Sequence, residues 1–373
     1  MGETPSPASP SRRNFLGAGT GVIAAAVAAP HLASASPAPG PLPDQSQQHE
    51  PRKIPIGVFD PAFSDLSLDA MLEKISGMGI EAVEIGTGGY PGAPHCPVEE
   101  LLADSGKLRA WQKKFEDKNI QVATLSCHGN PLHPDAKRAQ QEAQTFRRTV
   151  LLAEKLGVKV IVGFSGCPGG SPTDTMPNWA TFRWPPEFGQ VLDWQWKERV
   201  IPYWKQAAQF ARDHGVHRLA FEMIPNMVVY NPKTLLRLRD AVGEEIGANC
   251  DLSHLFWQGY NAVEVIHFLG KQNALFHAHM KDTVMFENNV ARYGVLNPAP
   301  DNDDLSQASE TFRAVGYGHG ANTWKEIMQA YVDVGYDGIF SIENEDPILP
   351  GEVGVERALY VLKNVRSELL KTA

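Results

Sequence analysis

The sequence is short of cysteine and of positive charge, and both shortages narrow what the chain can be. Its four cysteines, Cys96, Cys127, Cys167 and Cys250, lie far apart and form no CxxC pair. Four cysteines allow three complete pairings, and spacing does not choose among them. Lys and Arg total 34 against 43 Asp and Glu, a net charge of −9, with no basic cluster anywhere. Nucleic acid and other polyanions need a basic footprint, so they are not expected partners. No Gly-x-Gly-x-x-Gly follows the first strand, where a nucleotide-binding sheet would carry it. Past the N-terminal segment there is no low-complexity stretch, no internal repeat and no run long enough to span a membrane.

The first 35 residues read as a targeting segment and not as fold. "SRRNFLGAGTGVIAAAVAAPHLASAS" holds the pair Arg12 and Arg13, then Phe15 and Leu16, an Ala/Gly-rich weakly apolar stretch, and the small-x-small site Ala33-Ser34-Ala35. This pattern predicts a twin-arginine export signal and a periplasmic or extracellular destination. Pro30 interrupts the apolar stretch, so no stable membrane span is expected. Residues 36–52, rich in Pro, Gln and Ser, read as a flexible linker, and 53–373 as one domain. Twin-arginine substrates normally fold before export in a reducing cytosol, so mostly reduced thiols are expected.

From Lys53 onward, apolar β-rich runs alternate with longer helical patterns. The predicted strands are 54–60, 81–87, 121–129, 159–166, 218–224, 247–253, 275–282 and 338–345, and several helices end in Gly just before the next strand. Strict alternation implies parallel strands with right-handed crossovers, and eight units in about 320 residues suit a (β/α)8 TIM barrel. A doubly wound open sheet is the rival. Two connections, 167–193 and 283–322, are long and fall on the face where barrel active sites sit. Around the first lie Trp179, Trp184, Trp194, Trp196 and Trp204. Such aromatics suit stacking on sugar faces, and equally suit covering apolar surface or a contact between copies in a homo-oligomer.

Charges at the ends of apolar strands stand out. Strand 5 offers Glu222, strand 6 Asp251, strand 7 His277 and His279, and strand 8 Glu343 and Glu345. Three carboxylates and an imidazole on one rim repel unless a cation joins them. An oxygen-rich set with one nitrogen favours Mn²⁺, Mg²⁺ or Co²⁺ over a thiolate-loving metal. In "LFHAHMKD" the alternation of a strand points His277 and His279 the same way, so spacing alone leaves open which one binds.

With these residues in place, the chain from about 54 to 370 resembles the sugar phosphate isomerase/epimerase family with the xylose-isomerase-like TIM barrel. "DLSHLFWQG", "HAHMKD", "VGYGHG" and "GYDGIFSIENED" carry the resemblance. It implies one divalent ion, Mn²⁺ first, with Mg²⁺, Co²⁺ and Zn²⁺ as alternatives, held by Glu222, Asp251, His279 and Glu343. His279 opens the family's H-x-x-acid turn, which leaves His277 as a hydrogen-bonded residue one layer deeper. His254, His128, Asn130, Trp257 and Lys281 are the expected substrate contacts. Ile224 in "FEMIPN" and Asn344 in "SIENED" depart from close relatives, Ile224 standing where a histidine is frequent, at positions able to alter substrate choice.

The implied chemistry is proton transfer beside a carbonyl, with Glu222 and Glu343 on opposite faces of the sugar taking and returning the proton. No Gly-rich anion cradle is present, which favours a free sugar or keto-sugar over a sugar phosphate. The same site would serve cleavage of a 3-keto-glycoside by β-elimination. A multi-zinc hydrolase and a non-catalytic exported sugar-binding protein are the readings from other classes, and metal content separates them: three zincs, none, or one Mn²⁺-type ion.

Overall fold

The computed structural model describes residues 53–297 and 304–372. The export and linker expectations for 1–52 lie outside the described residues. Eight strands close a parallel barrel: β1 (Ile56–Phe59), β2 (Ala82–Gly86), β3 (Gln121–Ser126), β4 (Val160–Gly163), β5 (Arg218–Glu222), β6 (Ile246–Asn249), β7 (Leu275–Met280) and β10 (Phe340–Ile342). Two further strands, β8 (Asp282–Met285) and β9 (Glu310–Arg313), pair antiparallel as a separate hairpin. Around the barrel the strand order is β1-β10-β7-β6-β5-β4-β3-β2, which closes where β1 pairs with both β10 and β2. Each of the eight predicted strands overlaps one barrel strand, and the open-sheet rival is ruled out.

The strands are short and apolar because both faces are covered, one by the lumen and one by the helices. Val83 and Ile85 of β2 belong to the large apolar core, while Ala82, Glu84 and Gly86 alternate with them. Helix boundaries follow local chemistry. Ser67 accepts from the amide of Ala70 to start Leu68–Met78, and Gly79, at φ 71°, ends it in the left-handed conformation. Asn231 and Thr234 cap each other reciprocally ahead of Pro232–Val242. The C-terminal helix Gly351–Thr372 latches onto the start of the barrel, with Lys363 Nζ on the Met78 carbonyl (2.7 Å) and Arg366 on the Ile54 carbonyl (3.0 Å).

Both long connections are ordered by side chains where they are described. Gln195 is buried and its amide donates to the carbonyls of Asn178 (2.6 Å) and Gly169 (3.0 Å), pinning the first loop. In the second, Asp282 accepts from the amides of Gly316, Gly318 and His319 and from the His319 ring (2.7 Å). "HAHMKD" and "VGYGHG", distant in sequence, are therefore two halves of one clasp. All four cysteines are buried free thiols, and burial pushes each up to about 12. Among the described residues no helix is long and apolar enough to cross a membrane.

Candidate metal centre

Four strands deliver four donors to one point at the C-terminal end of the barrel. Glu222 is the last residue of β5, Asp251 follows β6 by two, His279 lies in β7, and Glu343 follows β10 directly. One ligand atom from each lies within 4.8 Å of the others, and the first three residues are buried. His279 Nδ1 is 2.9 Å from Glu343 Oε2 and 3.5 Å from Glu222 Oε2. Asp251 Oδ1 accepts from the amide of Ser253 (2.8 Å). Its Oδ2 sits 2.9 Å from Lys281 Nζ and 3.3 Å from His254 Nε2 but lacks a well-directed hydrogen bond from either. A buried carboxylate oxygen with a spare lone pair, facing two more carboxylates and an imidazole nitrogen, fits one hard or borderline divalent ion.

The surrounding charges hold this set ionised. Burial opposes the charge on Glu222, but hydrogen bonds from His128 (3.1 Å) and His254 (2.8 Å), aided by His279, keep its carboxyl well below the usual range. Burial likewise opposes Glu343, and His279 and Lys281 outweigh it, leaving the carboxyl at about 2. Lys281 is 1% exposed, and its ammonium lies 2.7 Å from both Glu343 and Glu345. Burial works against that charge, yet Asp251, Glu343 and Glu345 raise its pKa well above the ordinary value. The ring of Phe312, 4.6 Å from Nζ, adds a cation–π contact.

Above the cluster opens a cavity of about 590 Å³. Glu222, Glu343, His254, His128, Trp257 and Lys281 line it, as do Ile224 and Asn344. Apolar walls come from Phe59, Phe164 and Phe312, with Phe59 stacked on the His279 ring at 5.6 Å. Gly89, at φ 73°, lets the chain pass so close to the His128 carbonyl that an added Cβ would stand 2.1 Å from it. That approach carries Tyr90 to the cavity rim, its amide bonded to the same carbonyl (2.6 Å).

Asn130 is placed elsewhere. Its amide donates to the Cys167 carbonyl (2.9 Å) and accepts from the amides of Cys167 (2.9 Å) and Leu132 (3.1 Å). Every polar atom of that side chain is engaged in joining two loops, and it does not line the cavity. The tryptophans around the first long loop are absent from the lining too: Trp196 and Trp204 are core residues, Trp179 bonds the Met227 carbonyl, and Trp184 is 80% exposed. Among these tryptophans, the core-packing role applies to Trp196 and Trp204.

Four contributors lay outside the sequence expectations. Asn249 donates to Glu222 (3.2 Å) and contacts His279 Nδ1 (3.1 Å) through its amide nitrogen. Glu310 and Phe312 reach the cavity from β9, and nothing local in a long loop marks them. Glu84 sits buried beneath His279, and a lone acid inside the apolar run "AVEIG" was its available signal.

Comparison with known proteins agrees with this architecture. Residues 72–365 match the family model described as the xylose isomerase-like TIM barrel. The uncharacterized protein YfiH of Bacillus subtilis (strain 168) is 36% identical over 305 residues, covering 81% of this chain and 96% of its own. The crystal structure of AsbF from Bacillus anthracis, a probable 3-DHS dehydratase involved in petrobactin synthesis, aligns with a TM-score of 0.58 at 15% identity, over 83% of this chain and 99% of its own. A D-tagatose 3-epimerase-like protein aligns at 0.55 and 18% identity, over 86% and 100%. At such identities the two structures establish a shared fold. Joined to the family match over most of the chain and to the closed eight-stranded barrel, they lead to one assignment: this chain belongs to the xylose isomerase-like TIM barrel family.

Proposed function

We propose that this chain is a divalent-metal-dependent isomerase or epimerase of a free sugar or keto-sugar, with Mn²⁺ the first candidate ion and Glu222, Asp251, His279 and Glu343 its ligands. The observation that carries the reading is the four-donor cluster at the floor of a cavity walled by aromatics, with no arginine among its described lining residues. Lys281 is the one lysine among the described lining residues, and three carboxylates already surround it, so an anionic phosphate finds no free partner on it. The proteins that share this fold include an epimerase-like protein and a probable dehydratase, and both chemistries begin at a carbon beside a carbonyl.

Held by Glu222, Asp251, His279 and Glu343, a divalent ion would supply Lewis acidity that makes the C–H beside the substrate carbonyl more acidic. Glu222 removes that proton, its oxygens oriented by His254 and His128, and Glu343 returns one from the other side. Both carboxylates are held below the usual range and are weak bases, so the proton they move would have to be one that the ion's charge makes more acidic. His254 and Lys281 place positive charge beside the oxygen that becomes negative. Phe59, Phe164, Phe312 and Trp257 exclude water and offer faces to the C–H side of a sugar ring.

The test is solvent exchange. In D₂O with Mn²⁺, a panel of free ketoses and 3-keto-glycosides should include one that takes up deuterium beside its carbonyl, and Glu222→Gln and Glu343→Gln should stop it, with metal content assayed alongside. Uptake accompanied by release of the aglycone reassigns the chemistry to elimination. No uptake from any sugar, in protein shown to contain metal, overturns the reading.

A further inference from the structure

His279 has two ring nitrogens, and the barrel lumen assigns each a different task. Nδ1 faces Glu222, Glu343 and the amide nitrogen of Asn249, whereas Nε2 faces the carboxylate of Glu84 at 3.1 and 3.2 Å. Glu84 is completely buried, as are its other partners. Ser126 of β3 donates to Oε1, while Ser341 of β10 and His277 Nε2 of β7 each bond Oε2 at 2.7 Å. Donors on three other strands therefore grip one side chain from β2.

Glu84, His277 and His279 could themselves be read as a metal site, since their ligand atoms cluster within 4.8 Å. The hydrogen bonds argue otherwise. Two hydroxyls and two imidazoles already satisfy the acceptor positions of the carboxylate, leaving no orphaned lone pair of the kind found on Asp251 Oδ2. We propose that Glu84 is a positioning residue: it holds the Nε2–H of His279 so that the Nδ1 lone pair points at the ion. This rests on the metal-site reading given above. The physical reason is general, because a second partner on a ligating imidazole fixes its tautomer and ring orientation and raises its basicity as a ligand. A ring flip about χ2 would put carbon against Glu84, so this contact selects one orientation. His277, whose Nδ1 has no partner, acts here as a donor that steadies Glu84.

The experiment measures metal affinity of the full chain, not activity. Competition titrations with Zn²⁺ should show Glu84→Gln binding roughly 10- to 100-fold more weakly than wild type, the range lost when such outer partners are removed. His279→Gln should lose the site in the same assay. In protein loaded with ¹¹³Cd²⁺ and labelled with [¹⁵N]histidine, one imidazole should couple to cadmium through Nδ1 with Nε2 protonated, a signature that a merely packed glutamate would not move. If Glu84→Gln fails to fold, the same affinity comparison, with the same threefold limit, is made on Glu84→Asp, which keeps the charge and shortens its reach to Nε2. Coupling through Nε2, or Glu84→Gln binding within threefold of wild type, overturns the proposal. Wild-type affinity in His279→Gln would instead overturn the ligand set on which it rests, so the two failures are distinguishable.

Discussion

Replacing Lys281 by Met removes the one ammonium that the structure places among Asp251, Glu343 and Glu345, at 2.9, 2.7 and 2.7 Å. Methionine nearly matches its volume, so packing beside Phe312 persists and the change is electrostatic. Removing one partner of a buried ion pair costs about 3–5 kcal/mol, because the remaining charges stay buried without compensation. The side chain is 1% exposed, so water offers little relief. Unfolding entropy near 2.1 cal/mol/K per residue gives about 0.7 kcal/mol/K for a domain of roughly 320 residues, so the loss is about 4–7 °C in Tm. Calorimetry of chelator-treated protein should show that drop. Adding Mn²⁺ should then stabilise Lys281→Met more than wild type, because a divalent charge at Asp251 and Glu343 replaces part of what was removed. A metal-free Lys281→Met protein melting within 1 °C of wild type would refute the claim that this lysine neutralises the empty cluster.

Glu81 offers a pH test away from the site. Burial opposes its charge, but Lys53, Arg366 and the Ile56 amide bring its carboxyl down from 4.5 to about 2. A folded pKa below the unfolded one gives stability that is complete above about 4.5 and lost as pH falls toward 2. The full shift would be about 3.4 kcal/mol, and screening at a 29% exposed side chain reduces it to about 1. Urea melts of Glu81→Gln should therefore differ from wild type at pH 7 and converge near pH 2; a constant gap at both refutes the linkage. Gly318→Ala would set a Cβ 2.1 Å from the Thr283 carbonyl and 2.6 Å from Asp282 Oδ1. The expected result is faster hydrogen exchange across β8 and β9, and unchanged protection there would show that the clasp gives way elsewhere. Lysine at both Arg12 and Arg13 should retain the protein inside the cell, and normal export of that variant would disprove the signal reading.

The barrel was legible in the sequence because its signals are local. Apolar runs, helical periodicity and terminal glycines recur in each β/α unit, and a parallel sheet buried on both faces needs nothing more specific. Strand alternation marked Glu222, Asp251, the pair His277 and His279 and the pair Glu343 and Glu345 as strand-end charges that a closed barrel brings together, whereas the choice of His279 and Glu343 was what the family resemblance implied. What sequence could not supply was the partner of each polar atom. Asn130 and His128 stand two residues apart in one loop, yet only His128 reaches the cavity, since Asn130 is consumed by Cys167 and Leu132. Glu84 and His279 meet across the lumen, and Asp282 finds the glycine-rich loop after β9, through contacts long in sequence. Periodicity tells which face a side chain takes; only closure of the barrel decides what stands opposite it, because that depends on strand order, register and the loops folded over the rim.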